Sequence, residues 1–398
     1  MLVELETWNL TLPVIPPRSR CYRLTPVGLG TPYAECLTSY LARLANAHGV
    51  SLSTLVVHGL RPVSPQGWLV ARRSSGSVPW DAVAVALNGT EVIARNWCTA
   101  LETLTMRKDL RFLTLLTWAK VLHRNGLLRQ TRAYCPECYE EWRAGGGVVY
   151  EPLLWNIALV AGCILHRRRL RLACCVGSCS RTMSLLGSRF RPGYCPRCHG
   201  WLGVSSNAAP DPKDILQGAE LNECEWITTC IGELIASAPT LSAPPTRQSL
   251  ATSLGGYAAP LAYGLSTAQP ALPHLATLHL WLRGRAAPEM RSLLKLCDAL
   301  ETSPLRLFTG DRSAASTSVR LDARRVFTPR KRRKVDHDLL RTTLATILAS
   351  DDIPPPSMRQ VANSLGHLPP YLRSRFPDLS KAISVRFAAH RRSMKKRQ

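Results

Sequence analysis

At 398 residues the chain is long enough for two or three packed domains, each burying its own core, which excludes a single small module. Its formal charge of +24, from 51 Lys plus Arg against 27 Asp plus Glu, repels itself unless a polyanion neutralises it, so nucleic acid is the first partner to consider. The longest apolar stretch, Trp155 to Leu165, is interrupted by Asn156 and Gly162 and falls far short of the ~20 residues a membrane span needs.

The opening, MLVELETWNLTLPVIPPRSR, lacks a basic segment followed by an apolar one, so no secretion is expected. The 14 cysteines are therefore read in a reducing cytoplasm, where clustered cysteines mean metal rather than disulfides. Residues 35–55 read ECLTSYLARLANAHGVSLSTL, and Leu37, Leu41 and Leu44 recur on one helical face. Gly49 suits the end of that helix and Ser51 the start of another, which predicts a helix pair.

Between Tyr134 and Trp201 the sequence holds YCPECYEEW, AGCILH, LACCVGSC and GYCPRCHGW, four close pairs of soft ligands. A two-residue gap, as in Cys135 and Cys138 or Cys195 and Cys198, lets one tight turn present both thiolates to one ion while backbone amides polarise the sulfurs. Pairing neighbours gives one site of Cys135, Cys138, Cys163 and His166 and a second of Cys174, Cys179, Cys195 and Cys198. Spacing alone also permits an interleaved pairing, and Cys175 competes with Cys174. Four protein ligands leave no open position for an activated water, so two structural zinc ions are expected. Cys21, Cys36, Cys98, Cys224, Cys230 and Cys297 have no partner at ligand spacing and read as small buried hydrophobes.

The stretch LPVIPPRSR, the helix with Glu35, Leu37, Ser39, Arg43, Leu44 and Ala45, and the ordered cysteine and histidine pairs resemble the TniQ family over residues 13–203. The chain departs from that pattern at Cys36, where Ser is usual, at Tyr40, where Trp is common, and by an extra cysteine at the second site; none of these removes a ligand. Glu35 and Arg43 have a plain alternative as helix-end or solvated charges. What the resemblance implies is a target-selection subunit of a transposon, which recruits an AAA+ ATPase of the TnsC kind to a chosen DNA site. Cutting and joining then belong to a separate transposase.

Beyond Gly203, SSNAAPDPKD and SAPTLSAPPTRQS read as linkers on either side of a helical segment from Ile215 to Ile235. Next, Leu275, Leu278, His279 and Leu282 are read as one helical face stopped by Gly284, and Pro288 as the opening of a helix that buries Leu293, Leu296, Cys297 and Leu300. This order is similar to helix-turn-helix domains of phage-repressor type, with Thr277, Leu280, Trp281 and Arg283 on the exposed side and Arg285 beside the DNA backbone. An ordinary helical core with a basic rim is the alternative.

Residues 321–398 hold 18 Lys/Arg and 6 Asp/Glu, leaving +12, and make the favoured phosphate-binding segment. Arg330, Lys331, Arg332, Arg333, Lys334 and Val335 are similar to a nuclear-import signal, but in a bacterial chain they read as a basic linker over phosphates. Ser357 with Gln360 forms a predicted capping box, Val361 and Leu365 face inward, and Gly366 stops the helix. A short helix from Pro370 to Phe376 places Arg373 and Arg375 near DNA. The last helix carries Leu379, Ile383 and Phe387, then Arg391, Arg392, Lys395, Lys396 and Arg397. Residues 245–392 resemble, more weakly, the paired helix-turn-helix units of long, TnsD-like relatives that read a fixed attachment sequence.

The expected fold is mainly α and multidomain: a TniQ-like helical domain over 1–130, tandem zinc fingers over 131–205, a helical domain with the first helix-turn-helix over 206–320 and a basic helix-turn-helix domain over 321–398. Acidic residues are scarce, an adjacent pair at Asp351 and Asp352 precedes three prolines, and no GxxxxGK[ST] loop occurs, so neither nuclease nor ATPase chemistry is expected. The partners expected are double-stranded DNA and a TnsC-type ATPase, with a transposase or a CRISPR effector complex as further ones. A zinc-containing transcription regulator is the rival reading; its front domain is expected to bind a small molecule or dimerise rather than meet an ATPase.

Overall fold

The computed structural model describes residues 18–64, 80–177, 179–204, 211–257, 273, 275–310, 336–352, 354–365 and 369–395. The chain is mainly helical, and strand pairing among the described residues is confined to one short hairpin and isolated bridges. Two compact units divide it, Met1–Phe327 and Thr328–Gln398.

In the first unit, helix α1 (Leu37–Ala47) buries Leu37, Leu41 and Leu44 as its periodicity demands, and Tyr40 beside them. Its end is closed by two amides: Gly49, with φ +64°, donates to Asn46 and Val50 donates to Ala45, so the glycine supplies the left-handed turn that satisfies the last carbonyls. Ser51 then caps the following run by accepting from the Thr54 amide at 3.1 Å. That run is α-helix over Leu52–Thr54, π-helix over Leu55–Leu60 and α-helix over Arg61–Val63. Pro62 lacks an amide and its ring crowds the carbonyl a turn earlier, which accounts for the widened turn before it.

Helices α2 (Trp80–Leu87) and α3 (Val92–Thr105) pack Leu87, Trp97 and Leu101 with α1 into one core. Leu185, Leu186 and Phe190, from the far end of the cysteine-rich segment, are buried in that same core. A second core runs from Cys36 through Trp118, Tyr139 and Trp155 to Ile231, Leu254, Leu278, Leu293 and Phe308. It includes five of the cysteines of the cluster and residues of α4 (Pro136–Ala144), α5 (Gly218–Ser237), α6 (Arg247–Gly255), α7 (Leu275–Leu282), α8 (Met290–Ala299) and α9 (Pro304–Thr309). The cysteine-rich segment is thus packed into both cores of this unit.

Two local readings of the sequence need correction here. Trp281, expected on the exposed side of α7, is buried with Leu278, while Leu275 and Leu280 are exposed. The helix is turned so that its largest apolar side chain, which gains most from leaving water, faces the core. Pro288 does not open α8 either: Glu289 is its N-cap, and the Pro288 carbonyl instead accepts from the His123 amide at 2.9 Å. Gly284, at φ +63°, ends α7 as the sequence suggests.

The second unit is built from α10 (His337–Ala349), α11 (Met358–Ser364), α12 (Pro369–Arg375) and α13 (Pro377–Lys395) around Leu340, Leu344, Val361, Leu372 and Ile383. Ser357 and Gln360 form the reciprocal cap: the Ser357 amide donates to Gln360 Oε1 at 2.8 Å and the Gln360 amide to Ser357 Oγ at 3.3 Å. Arg386 is tied into the fold, since its guanidinium donates to the carbonyls of Ile347 and Leu348 at the end of α10. No helix among the described residues is long and apolar enough to cross a membrane. Gly366 and the run Arg330 to Lys334 lie outside the described residues.

Candidate metal centres and the hub that carries them

Cys135 precedes α4 and Pro136 occupies the first helical position, where a missing amide costs nothing, so the second ligand Cys138 follows in the first turn. Facing it, the hairpin of β1 (Gly162–Cys163) and β2 (Arg168–Arg169) presents Cys163 and, from its turn, His166. A Cβ on Gly162 would meet Leu216 at 2.2 Å and the Arg168 carbonyl at 2.8 Å, so only glycine lets the hairpin lie this close to its neighbours. His166 Nδ1 stands 3.5 Å from Cys135 Sγ, 3.4 Å from Cys138 Sγ and 3.5 Å from Cys163 Sγ, and the Cys138 and Cys163 sulfurs are 3.6 Å apart. Ligands ~2.3 Å (S) and ~2.05 Å (N) from one tetrahedral ion are separated by ~3.8 Å between sulfurs and ~3.6 Å between sulfur and nitrogen. The four groups fit one ion.

The other imidazole nitrogen, His166 Nε2, meets Glu141 Oε1 at 2.8 Å, an outer contact that fixes the ring for coordination through Nδ1. Hydrogen bonding to Cys163 holds the His166 pKa up at about 9, and bonding from Cys135 and Cys138 drives the Cys163 thiol far below its usual range.

The second group joins Cys174, Cys179, Cys195 and Cys198, with Cys174 and Cys198 sulfurs 3.7 Å apart and Cys179 and Cys195 sulfurs 4.0 Å apart. Burial pushes the Cys195 thiol up, but the amides of Cys198 and Arg197 outweigh it and bring it down to about 7. The pairing is of sequence neighbours, not interleaved. Cys175 points away and donates to the Leu202 carbonyl at 3.5 Å. Removing the Cys174 sulfur as Cys174→Ser is expected to lower the metal content of purified protein by one ion per chain, while Cys175→Ser leaves it unchanged; elemental analysis of the two variants separates them.

The six remaining cysteines, Cys21, Cys36, Cys98, Cys224, Cys230 and Cys297, are buried, as small apolar side chains are. Sequence reasoning missed the polar core that joins the helical front to both metal groups. Glu35 is fully buried; its carboxylate accepts from Ser39 Oγ at 2.8 Å and pairs with Arg43 at 2.5 Å. Burial raises the Glu35 pKa against the opposing pull of Arg43 and Ser39. Ser39 Oγ in turn accepts the Glu151 amide at 3.0 Å. Glu151 Oε1 pairs with Arg132 at 2.5 Å and accepts from Tyr139 at 2.8 Å, and Arg132 also donates to the Tyr194 carbonyl at 2.7 Å, next to the ligand Cys195. Glu35, Ser39 and Arg43 therefore act as structural connectors and not as solvated charges. Asn88 completes the junction by accepting from the Thr38 amide at 3.1 Å, which caps α1 from a distant loop.

Of the residues expected at DNA, Arg283 and Arg285 are exposed and Thr277 is half-buried on the first unit. Arg373, Arg375 and Arg392 are exposed on the second, where Arg375 Nε also donates to His337 Nδ1 at 2.9 Å; Arg391 lies in α13. Residues 26–170 match the model of the TniQ family. A search of curated proteins found no match.

Proposed function

From the match of residues 26–170 to the TniQ family, whose role lies in transposition and the choice of its target, we propose that the chain is a long, TnsD-like adaptor that binds duplex DNA and brings an AAA+ ATPase of TnsC type to the insertion site. The observation that carries this reading is the coupling of a TniQ segment to a separate helical unit, Thr328–Gln398, with cations exposed on its short helices. Arg373, Arg375, Arg391 and Arg392, with the run Arg330 to Lys334, are assigned to phosphates there; Thr277, Arg283 and Arg285 are assigned to DNA at α7.

The division of labour follows from the chemistry. Two closed four-ligand centres, each holding a zinc ion, staple the hub and offer no open coordination position, so the chain positions partners and leaves strand cutting and joining to a transposase. The front residues 1–130 are assigned to the ATPase, residues 131–205 to the metal hub, residues 206–320 to the first DNA-reading helices and residues 321–398 to the second. Deleting 324–398 is expected to weaken duplex binding and to flatten the dependence of log affinity on log salt by roughly 0.9 for every phosphate that is no longer neutralised. Fluorescence anisotropy across a salt series measures this, and an unchanged slope would move the binding surface elsewhere.

A further inference from the structure

From Pro152 to Pro210 the sequence contains no Asp or Glu, yet it contains Arg167, Arg168, Arg169, Arg171, Arg181, Arg189, Arg191 and Arg197 and no Lys. Arg167, beside the ligand His166, is exposed and has no ion pair among the described residues, and the fold treats the other seven in two ways. Arg168, Arg169 and Arg171, around the hairpin of the first metal group, are each covered by a carboxylate brought in from elsewhere: Glu137, Glu220 and Asp214. Arg181, Arg189, Arg191 and Arg197, around the second metal group, are exposed and have no ion pair among the described residues. Four thiolates around one divalent ion carry −2, which leaves about half of this guanidinium charge unbalanced.

At the base of this surface lies a cleft of about 470 Å³ between the end of α1 and the second metal group, with Arg43, Arg143 and Arg191 among its lining residues and no carboxylate among them. Arg191 stacks over Tyr194 at 4.3 Å and Arg143 over Trp201 at 4.5 Å. Arg43 and Arg143 are held from behind by Glu35 and Glu140, and Glu140 also accepts from Trp201 Nε1 at 2.7 Å. The aromatic rings hold two guanidinium planes in place before any ligand arrives, which lowers the entropic cost of binding.

We propose that the second metal group is itself a nucleic-acid surface: Arg181, Arg189, Arg191 and Arg197 bind the phosphates of duplex DNA, and one phosphate seats in the cleft against Arg191 and Arg143. This rests on the reading that the chain works on DNA, and adds to it a contact on the first unit, independent of Thr328–Gln398. Arginine in place of lysine throughout suits the forked, two-point recognition of phosphate. The arginine-bearing loops hold no carboxylate and their large apolar side chains, Met183, Leu185, Leu186 and Phe190, are buried, which favours a sugar-phosphate backbone over an acidic protein segment.

The test uses the full chain with Arg181, Arg189, Arg191 and Arg197 all changed to Gln, beside a second variant with Arg373, Arg375 and Arg392 changed to Gln. With metal content and melting temperature unchanged, the first variant is expected to bind duplex DNA at least about tenfold more weakly at 0.1 M salt, with a log–log salt slope shallower by about 3. The same four positions changed to Lys are expected to restore most of the slope. If the first variant binds like the parent while the second is impaired, this surface is not a DNA surface, although the proposed function stands. Loss of ATPase binding with an intact DNA slope overturns the inference in favour of a protein partner. A parent chain that ignores duplex DNA at low salt overturns both.

Discussion

Stripping metal from the chain is expected to unfold its first unit. Cys135, Cys138, Cys163, Cys174 and Cys195 all lie within one buried core, so removing the ions takes away the links between α4, the hairpin and the 171–200 loops together. Structural zinc contributes on the order of 10–16 kcal/mol to the folding of zinc-finger peptides, comparable to the whole stability of about 5–15 kcal/mol of an ordinary domain. All 10 tryptophans lie at or before Trp281, so their emission reports on the first unit alone. A chelator at neutral pH is expected to shift that emission to the red and abolish its thermal transition, and added zinc is expected to reverse both. The second unit contains no cysteine and has its own core, so much of its helical signal is expected to survive. Unchanged emission in demonstrably metal-free protein contradicts the structural role.

The second large effect is expected at Arg132. Its side chain is fully buried and spans the hub, joining Glu151 and Tyr139 to the backbone of the second metal loop, with Phe190 beneath the guanidinium at 4.7 Å. Substituting Ala strands the Glu151 carboxylate in a region with 4 % side-chain exposure and leaves the Tyr194 carbonyl without its donor. Breaking one half of a buried pair in this way costs about 3–5 kcal/mol, because the surviving charge is neither solvated nor compensated. Arg124 with Glu91 is the control, an ion pair whose side chains are 66 % and 40 % exposed and whose removal is expected to cost less than about 1 kcal/mol. Urea unfolding followed by tryptophan emission compares the two. Equal midpoints for Arg132→Ala and Arg124→Ala would rule out the connecting role.

These two effects differ in how far the sequence revealed them. The eight metal ligands were legible because coordination imposes short spacings, and CPxC carries its own turn and amides. The preference for Cys174 over the adjacent Cys175 needed the geometry to settle it, since both stand at ligand distance in sequence from Cys179 and differ in where the backbone aims them. The helix ends at Gly49, Ser51 and Ser357 were legible for the same reason, each being a contact within four residues. Arg132 and Glu151 stand 19 residues apart, Glu151 and Ser39 112, and nothing local says that an arginine will be buried.

Trp281 fails differently, since the pattern of leucines proposed one face of α7 and the packing chose another that admits the larger ring. The missing acids between Pro152 and Pro210 were a signal in plain sight. They gain meaning only once the fold shows that three of the eight arginines there have found carboxylates while the four around the second metal group have not.

Hydroxyl-radical footprinting tests the adaptor claim most directly. A duplex library carrying the insertion site is probed with the chain alone, with a TnsC-type ATPase alone and with both together. The account predicts a protected window for the chain by itself and, only in the mixture, a second window of ATPase protection that begins beside it. ATPase protection spread evenly over the duplex whether or not the chain is present would contradict it.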